Sequence, residues 1–165
     1  MPKLSGLDWI DHFDPIGLIL CVPPVNGGYW CTPVNSMCFA CTGVDGTHFS
    51  FLTQGGQYTE ASPVILTVPM SDQPNVVVGE TLREFLALGY HRGYVALDQL
   101  VHDPSSAMAE LESGLYPSDA SDEELSMLHQ LHQEFALRPW PNVRGRLASL
   151  RLRFASRLLL PDNAG

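Results

Sequence analysis

Basic residues are scarce in this sequence: 9 Lys and Arg stand against 18 Asp and Glu, for a formal net charge of −9. That balance argues against general nucleic-acid binding, where cations must face phosphates. It argues equally against docking on an anionic membrane surface. Long apolar runs are lacking too. The longest early one, Ile16-Gly17-Leu18-Ile19-Leu20-Cys21-Val22, falls far short of the roughly 20 residues a helical membrane span needs. The opening residues Met1-Pro2-Lys3-Leu4-Ser5-Gly6 lack the basic-then-apolar order of a secretory signal. The expectation is a cytoplasmic chain whose four cysteines, Cys21, Cys31, Cys38 and Cys41, are thiols in a reducing compartment. No internal repeat, low-complexity tract or charged linker divides the sequence.

What is present suits one globular domain. At 165 residues and 45% hydrophobic content, the chain can bury roughly 70% of the surface its unfolded form exposes. Within residues 1–35, Trp9, Ile10, Phe13, Ile16, Leu18 and Leu20 are apolar, and Pro23-Pro24 and Gly27-Gly28 are expected to break any regular element there. Residues 36–52 predict a β-hairpin, with arms Ser36–Thr42 and Thr47–Leu52 joined by Gly43-Val44-Asp45-Gly46. Pairing Thr42 with Thr47 sets Cys41 opposite His48 and Ala40 opposite Phe49. It also puts Cys38, Ala40, Phe49 and Phe51 on one apolar face. Pro63–Pro69 predicts a strand buried on both faces, because it is apolar and β-branched throughout. Asn75–Val78 predicts a fourth strand.

Helices follow. Leu82, Phe85 and Leu86 make an apolar stripe at i, i+3 and i+4, with Gly89 as its stop. Tyr94–Val101 and a segment from Pro104 to Gly114 predict two more. Ser121-Asp122-Glu123-Glu124 is a capping-box sequence, ahead of Leu125, Leu128, Leu131, His132 and Phe135. Prolines 139 and 141 are expected to end that helix. Residues 144–160 contain no Val, Ile or Thr and are rich in Leu, Ala, Arg and Ser. A helix is therefore expected, although Leu150-Arg151-Leu152-Arg153-Phe154 alternates like a strand.

Three blocks together resemble a known family. They are the hairpin Asp45-Gly46-Thr47-His48-Phe49-Ser50-Phe51-Leu52, the strand Pro63-Val64-Ile65-Leu66-Thr67-Val68-Pro69, and the junction from Asn75 through Val78-Gly79-Glu80-Thr81-Leu82 to Phe85-Leu86. Their order and spacing resemble the SMI1/KNR4 (SUKH) superfamily over roughly residues 30–102. The resemblance implies an α+β fold, a central antiparallel β-sheet with helices packed around it. Here that means a sheet-containing core over about 1–102 and a helical extension over about 104–160 within a single domain. Bacterial members are commonly immunity proteins that bind and neutralise toxins, and fungal members are regulatory interaction modules. No shared catalytic motif carries over.

Chemistry-bearing groups are few. Cys38 and Cys41 form a C-x-x-C, but in a strand three residues place their side chains on opposite faces, unlike the converging pairs of a zinc site. Buried apolar thiols are expected instead. Cys41 across from His48 has the proximity of a nucleophile and base but no evident third group or oxyanion site. His129 and His132 lie at i, i+3 with no third ligand in sequence. Tyr29-Trp30, after Gly27-Gly28, suits either an interface anchor or a lid on the core edge.

Charge is uneven. From Asp98 to Glu134 there is no Lys or Arg, whereas Arg138 to Arg157 includes Arg144, Arg146, Arg151 and Arg153 without an acid. Either the two stretches compensate each other, or the acids form a face for a basic partner. The expectation is a non-enzymatic protein-binding module without metal or cofactor. Its partner would be another protein, such as a basic toxin domain. Candidate contacts are Tyr29, Trp30, Glu110, Glu112, Asp119, Asp122 and Glu123. A regulatory scaffold of the same fold is the alternative, and a Cys/His hydrolase ranks third.

Overall fold

The computed structural model describes residues 13–162. Trp9, Ile10 and the opening residues read for a secretory signal lie outside them. The fold is α+β. Five strands, β1 (Ile19–Val25), β2 (Ser36–Cys41), β3 (His48–Leu52), β4 (Val64–Thr67) and β5 (Asn75–Gly79), form one antiparallel sheet in the order β1-β2-β3-β4-β5. The helices are α1 (Leu82–Leu88), α2 (Gln99–His102), α3 (Pro104–Glu112), α4 (Asp122–Phe135) and α5 (Val143–Phe154).

The first strand is a correction. Pro23 and Pro24 lie inside β1, behind a cis Val22–Pro23 bond, and do not prevent a strand. Pairing with β2 shifts register between Leu20 and Val25. β1 stands at the sheet edge, where a missing N–H breaks no ladder on the open side. The hairpin pairs Cys41 with His48 and Ala40 with Phe49 as expected, but a register shift falls between Cys38 and Ala40. Phe39, not Cys38, therefore joins Ala40, Phe49 and Phe51 in the core, stacking on Phe51 at 4.3 Å between ring centroids. A bulge adds one residue and so flips the alternation that the sequence pattern assumes.

One sheet face packs this aromatic core against Phe85, Leu86, Tyr94, Leu128 and Leu131. The buried Tyr94 hydroxyl donates to Leu86 O at 2.6 Å. Ala107, Leu128, Leu131 and Val143 enter the same core, so α3 to α5 are integral to it. On the other face, Leu52, Ile65 and Val77 pack under Leu150 and Phe154 of α5. Residues 144–160 are therefore helical to Phe154, with a 3-10 turn at Ala155–Arg157. Likewise, Tyr94–Val101 is split into a 3-10 turn and the short α2.

Helix ends follow local chemistry. Thr81 caps α1 through Glu84 N at 3.1 Å. At α4 the capping box is complete: Ser121 Oγ accepts from Glu124 N at 3.1 Å, and Ser121 N donates to Glu124 Oε2 at 3.0 Å. That helix stops before the prolines, because Ala136 adopts a left-handed φ of 49°.

Candidate functional site

The seven candidate residues fall in two places. Glu110, Glu112, Asp119, Asp122 and Glu123 belong to α3, α4 and the segment between them, whose inward side chains enter the aromatic core. Tyr29 and Trp30 belong to the loop that covers His48, on the opposite sheet face. The structure does not bring the two groups together.

Among the acids, Glu110 pairs with Arg92 at 3.2 Å. Glu112 Oε1 accepts from Val143 N at 2.9 Å and Arg144 N at 3.3 Å, which satisfies the first turn of α5. Both are engaged within the molecule. Asp119, Asp122 and Glu123 are exposed and form no ion pair among the described residues. The C-terminal arginines turn elsewhere. Arg146 meets Glu80 at 2.9 Å and Glu84 at 3.1 Å, and Arg153 meets Glu80 at 2.8 Å. Bonds from Arg153 and Arg146 hold the Glu80 carboxyl below its ordinary range. Glu80 and Glu84 precede the acidic stretch, so no ion pair among the described residues joins that stretch to the C-terminal arginines. A concavity of about 860 Å³ near these arginines is lined by Arg83, Arg138, Trp140 and Arg146, and by none of the seven candidates.

The loop from Asn26 to Asn35 is held by side chains. Asn26 Nδ2 donates to Pro33 O and Ser36 O, each at 3.1 Å, and Ser36 Oγ donates to Pro33 O at 2.6 Å. The loop lies directly on His48. A β-carbon on Gly27 would meet His48 Nε2 at 2.8 Å, and one on Gly46 would meet the Tyr29 hydroxyl at 2.8 Å. Tyr29 stacks on His48 at 5.3 Å. The two aromatics therefore divide the two roles foreseen for them. Tyr29 is the lid, while Trp30 is 59% exposed. Around the same loop and the β1 edge, Val22, Val25, Val34, Leu159 and Leu160 are also exposed. Val34 N donates to Leu159 O at 2.7 Å, joining loop and C-terminal tail.

His48 is spoken for. Its Nδ1 is 2.8 Å from Gly46 O, an acceptor only, so Nδ1 carries the proton. In the neutral ring Nε2 then accepts from Thr32 Oγ1 at 3.2 Å. Burial lowers the His48 pKa and so favours that neutral form. Burial also raises the Cys41 thiol, the wrong direction for a nucleophile.

The cysteines need a second correction. With the bulge at Phe39, Cys38 faces Ser50 and Cys41 faces His48, so both lie on the same sheet face, not opposite ones. Cys21 reaches both of them. His129 and His132 also gain a neighbour: the His91 ring lies 6.4 Å from that of His132, with Tyr90 and Tyr116 among them. Among the described residues no group of three or more His, Cys, Asp or Glu is arranged to hold a metal ion.

Comparison with protein-family models, curated proteins and solved structures finds no match. No described helix is long and apolar enough to cross a membrane.

The exposed β1-edge valines and the His91 contact were missed in the sequence. Ile19-Leu20-Cys21-Val22 is apolar throughout, so no alternation marked the first. The second is a contact across about 40 positions that no local pattern encodes.

Proposed function

We propose that this chain is a non-enzymatic protein-binding module of the kind the SMI1/KNR4 (SUKH) resemblance implies, acting on a basic protein such as a toxin domain. The observation that carries this reading is the path of the C-terminal arginines. Arg146 and Arg153 go to Glu80 and Glu84, Arg144 reaches Ser105, and Asp119, Asp122 and Glu123 stay exposed without counter-ions among the described residues. An electronegative face raises the encounter rate with a basic partner and guides its register. Binding is preferred to catalysis because both nitrogens of His48 are engaged and the Cys41 thiol is raised.

The test is affinity capture from the protein's own cells, followed by association kinetics with the purified partner. The association rate should fall steeply from low to physiological ionic strength. Reversal of Asp119, Asp122 and Glu123 to Lys should slow association more than it speeds dissociation. A rate indifferent to both salt and charge reversal overturns the acidic face. A second surface has its own support: Trp30 is presented by a hydrogen-bonded loop, so little ordering cost would fall on a partner that buries it. Loss of binding in Trp30→Ala with salt-insensitive kinetics would move the interface there.

A further inference from the structure

Two sulfurs meet at the edge of the sheet. Sγ of Cys21 on β1 lies 3.6 Å from Sγ of Cys38 on β2. Cys21 is partly exposed and Cys38 is buried. The Cys38 thiol donates to Ala40 O at 3.4 Å, which leaves its lone pairs to receive the Cys21 S–H. Cys21 also sits where the β1–β2 ladder is irregular, between the Leu20 and Val25 pairings. A disulfide closes at about 2.05 Å, so the sulfurs need only a modest approach, in a segment not fixed by ladder bonds.

We propose that Cys21 and Cys38 form a thiol–disulfide exchange site for low-molecular-weight disulfides of the glutathione class, with Cys21 attacking and Cys38 resolving. In the first step the Cys21 thiolate attacks one sulfur of R–S–S–R. A Cys21–S–S–R bond forms, the R–S–S–R bond breaks, and one RSH leaves with the Cys21 proton. In the second, Cys38 Sγ attacks Cys21 Sγ, the bond to R breaks, and a second RSH leaves with the Cys38 proton. The protein loses two electrons and two protons, and the small disulfide is reduced to two thiols. The order follows from access. The buried Cys38 cannot meet a solvent disulfide directly, whereas it already touches the sulfur that would carry the adduct. Burial, above all, raises the Cys38 thiol, so Cys38 is not the first to react and attacks only the sulfur already in contact with it. Cys41, the third thiol beside Cys21, is the competing resolver. Cys31 is buried elsewhere, with its carbonyl held by Asn75 at 2.9 Å.

The reduced full chain is treated with glutathione disulfide, alkylated and weighed intact. Two of the four thiols should be lost with no glutathione retained. Peptide mapping after cleavage at Trp30, Met37 and Phe39, which puts the four cysteines on separate peptides, should find a Cys21–Cys38 cross-link. Cys38→Ser should stop at one glutathione on Cys21, and Cys21→Ser should keep its remaining thiols. Four thiols surviving in the wild type, a cross-link between another pair, or an internal disulfide still closing in Cys38→Ser would overturn the proposal. Should Cys38→Ser fail to fold, the wild-type cross-link map decides alone.

Discussion

On one face of the sheet, Phe39, Phe49 and Phe51 meet Phe85 and Tyr94 in a continuous set of ring contacts. On the other, β3, β4 and β5 present His48, Ser50, Thr67 and Asn75; Ser50 pairs with Ile65, which packs under α5, and His48, Thr67 and Asn75 pair with one another. The first face asks only for apolar bulk of the right shape. The second asks for particular partners: Thr67 Oγ1 donates to Asn75 Oδ1 at 2.7 Å, Asn75 Nδ2 donates to Cys31 O at 2.9 Å, and His48 bridges Gly46 and Thr32. Ser50 Oγ is buried without a partner among the described residues. Burial of polar groups is costly unless they are bonded, so a face built this way holds its covering loop by directed contacts. The close thiols and the outward tryptophan lie there too.

Adjacent residues on β3 test the contrast most directly. Phe49→Ala empties a site at the centre of the aromatic core and should cost about 3–5 kcal/mol. His48→Ala removes two hydrogen bonds and the stack with Tyr29, and strands the Gly46 carbonyl. It should cost about 1–3 kcal/mol. Urea unfolding of both variants measures the difference. Equal losses would mean that the two faces are not distinct in kind.

Acidification probes the imidazoles. Burial lowers the pKa of His48, His91 and His132, with His129 and His91 adding to the effect at His132. For a base held below its unfolded value, the unfolded chain binds more protons in the window between the two values. Stability therefore falls as pH drops through the ordinary imidazole value of about 6.5, and levels off below the folded values. Glu80 acts in a separate, lower window, its contribution fading as pH falls through the carboxylate range. Unfolding midpoints should decline from pH 7.5 to 5.5, and His132→Gln should flatten the decline. A midpoint that does not move across that interval would show that these rings titrate alike in both states.

Much of this architecture was legible locally. The hairpin turn, the Ser121 capping box and the buried run Val64–Thr67 follow from short-range chemistry, and each stands where the pattern places it. The failures arise where the outcome depends on more than local pattern. Strand alternation read from sequence assumes no bulge, and a single extra residue at Phe39 moved Cys38 to the other face beside Cys21. Prolines 23 and 24 were read as breakers because an edge position cannot be seen from composition. Of the candidate site, exposure of Asp119, Asp122 and Glu123 was legible. The engagement of Glu112 at the start of α5 was not, since it spans about 30 positions and depends on how α3 and α5 pack.

The smallest expected effect comes from Trp30. Trp140 shows what a structural tryptophan looks like in this fold: half-buried, packed against both core clusters, with Nε1 donating to Glu84 O at 2.9 Å. Trp30 is 59% exposed, and its loop is held through Asn26, Thr32 and Ser36. Trp30→Ala should therefore change stability by no more than about 0.5 kcal/mol, as for a surface position away from caps and cores. Trp140→Ala should cost several times that, through lost packing and an unpaired Glu84 carbonyl. Thermal melts of the two variants side by side settle the matter. A Trp30→Ala loss as large as that of Trp140→Ala would make Trp30 part of the lid over the polar face, and the more exposed of the loop's two aromatics would no longer be free for a partner.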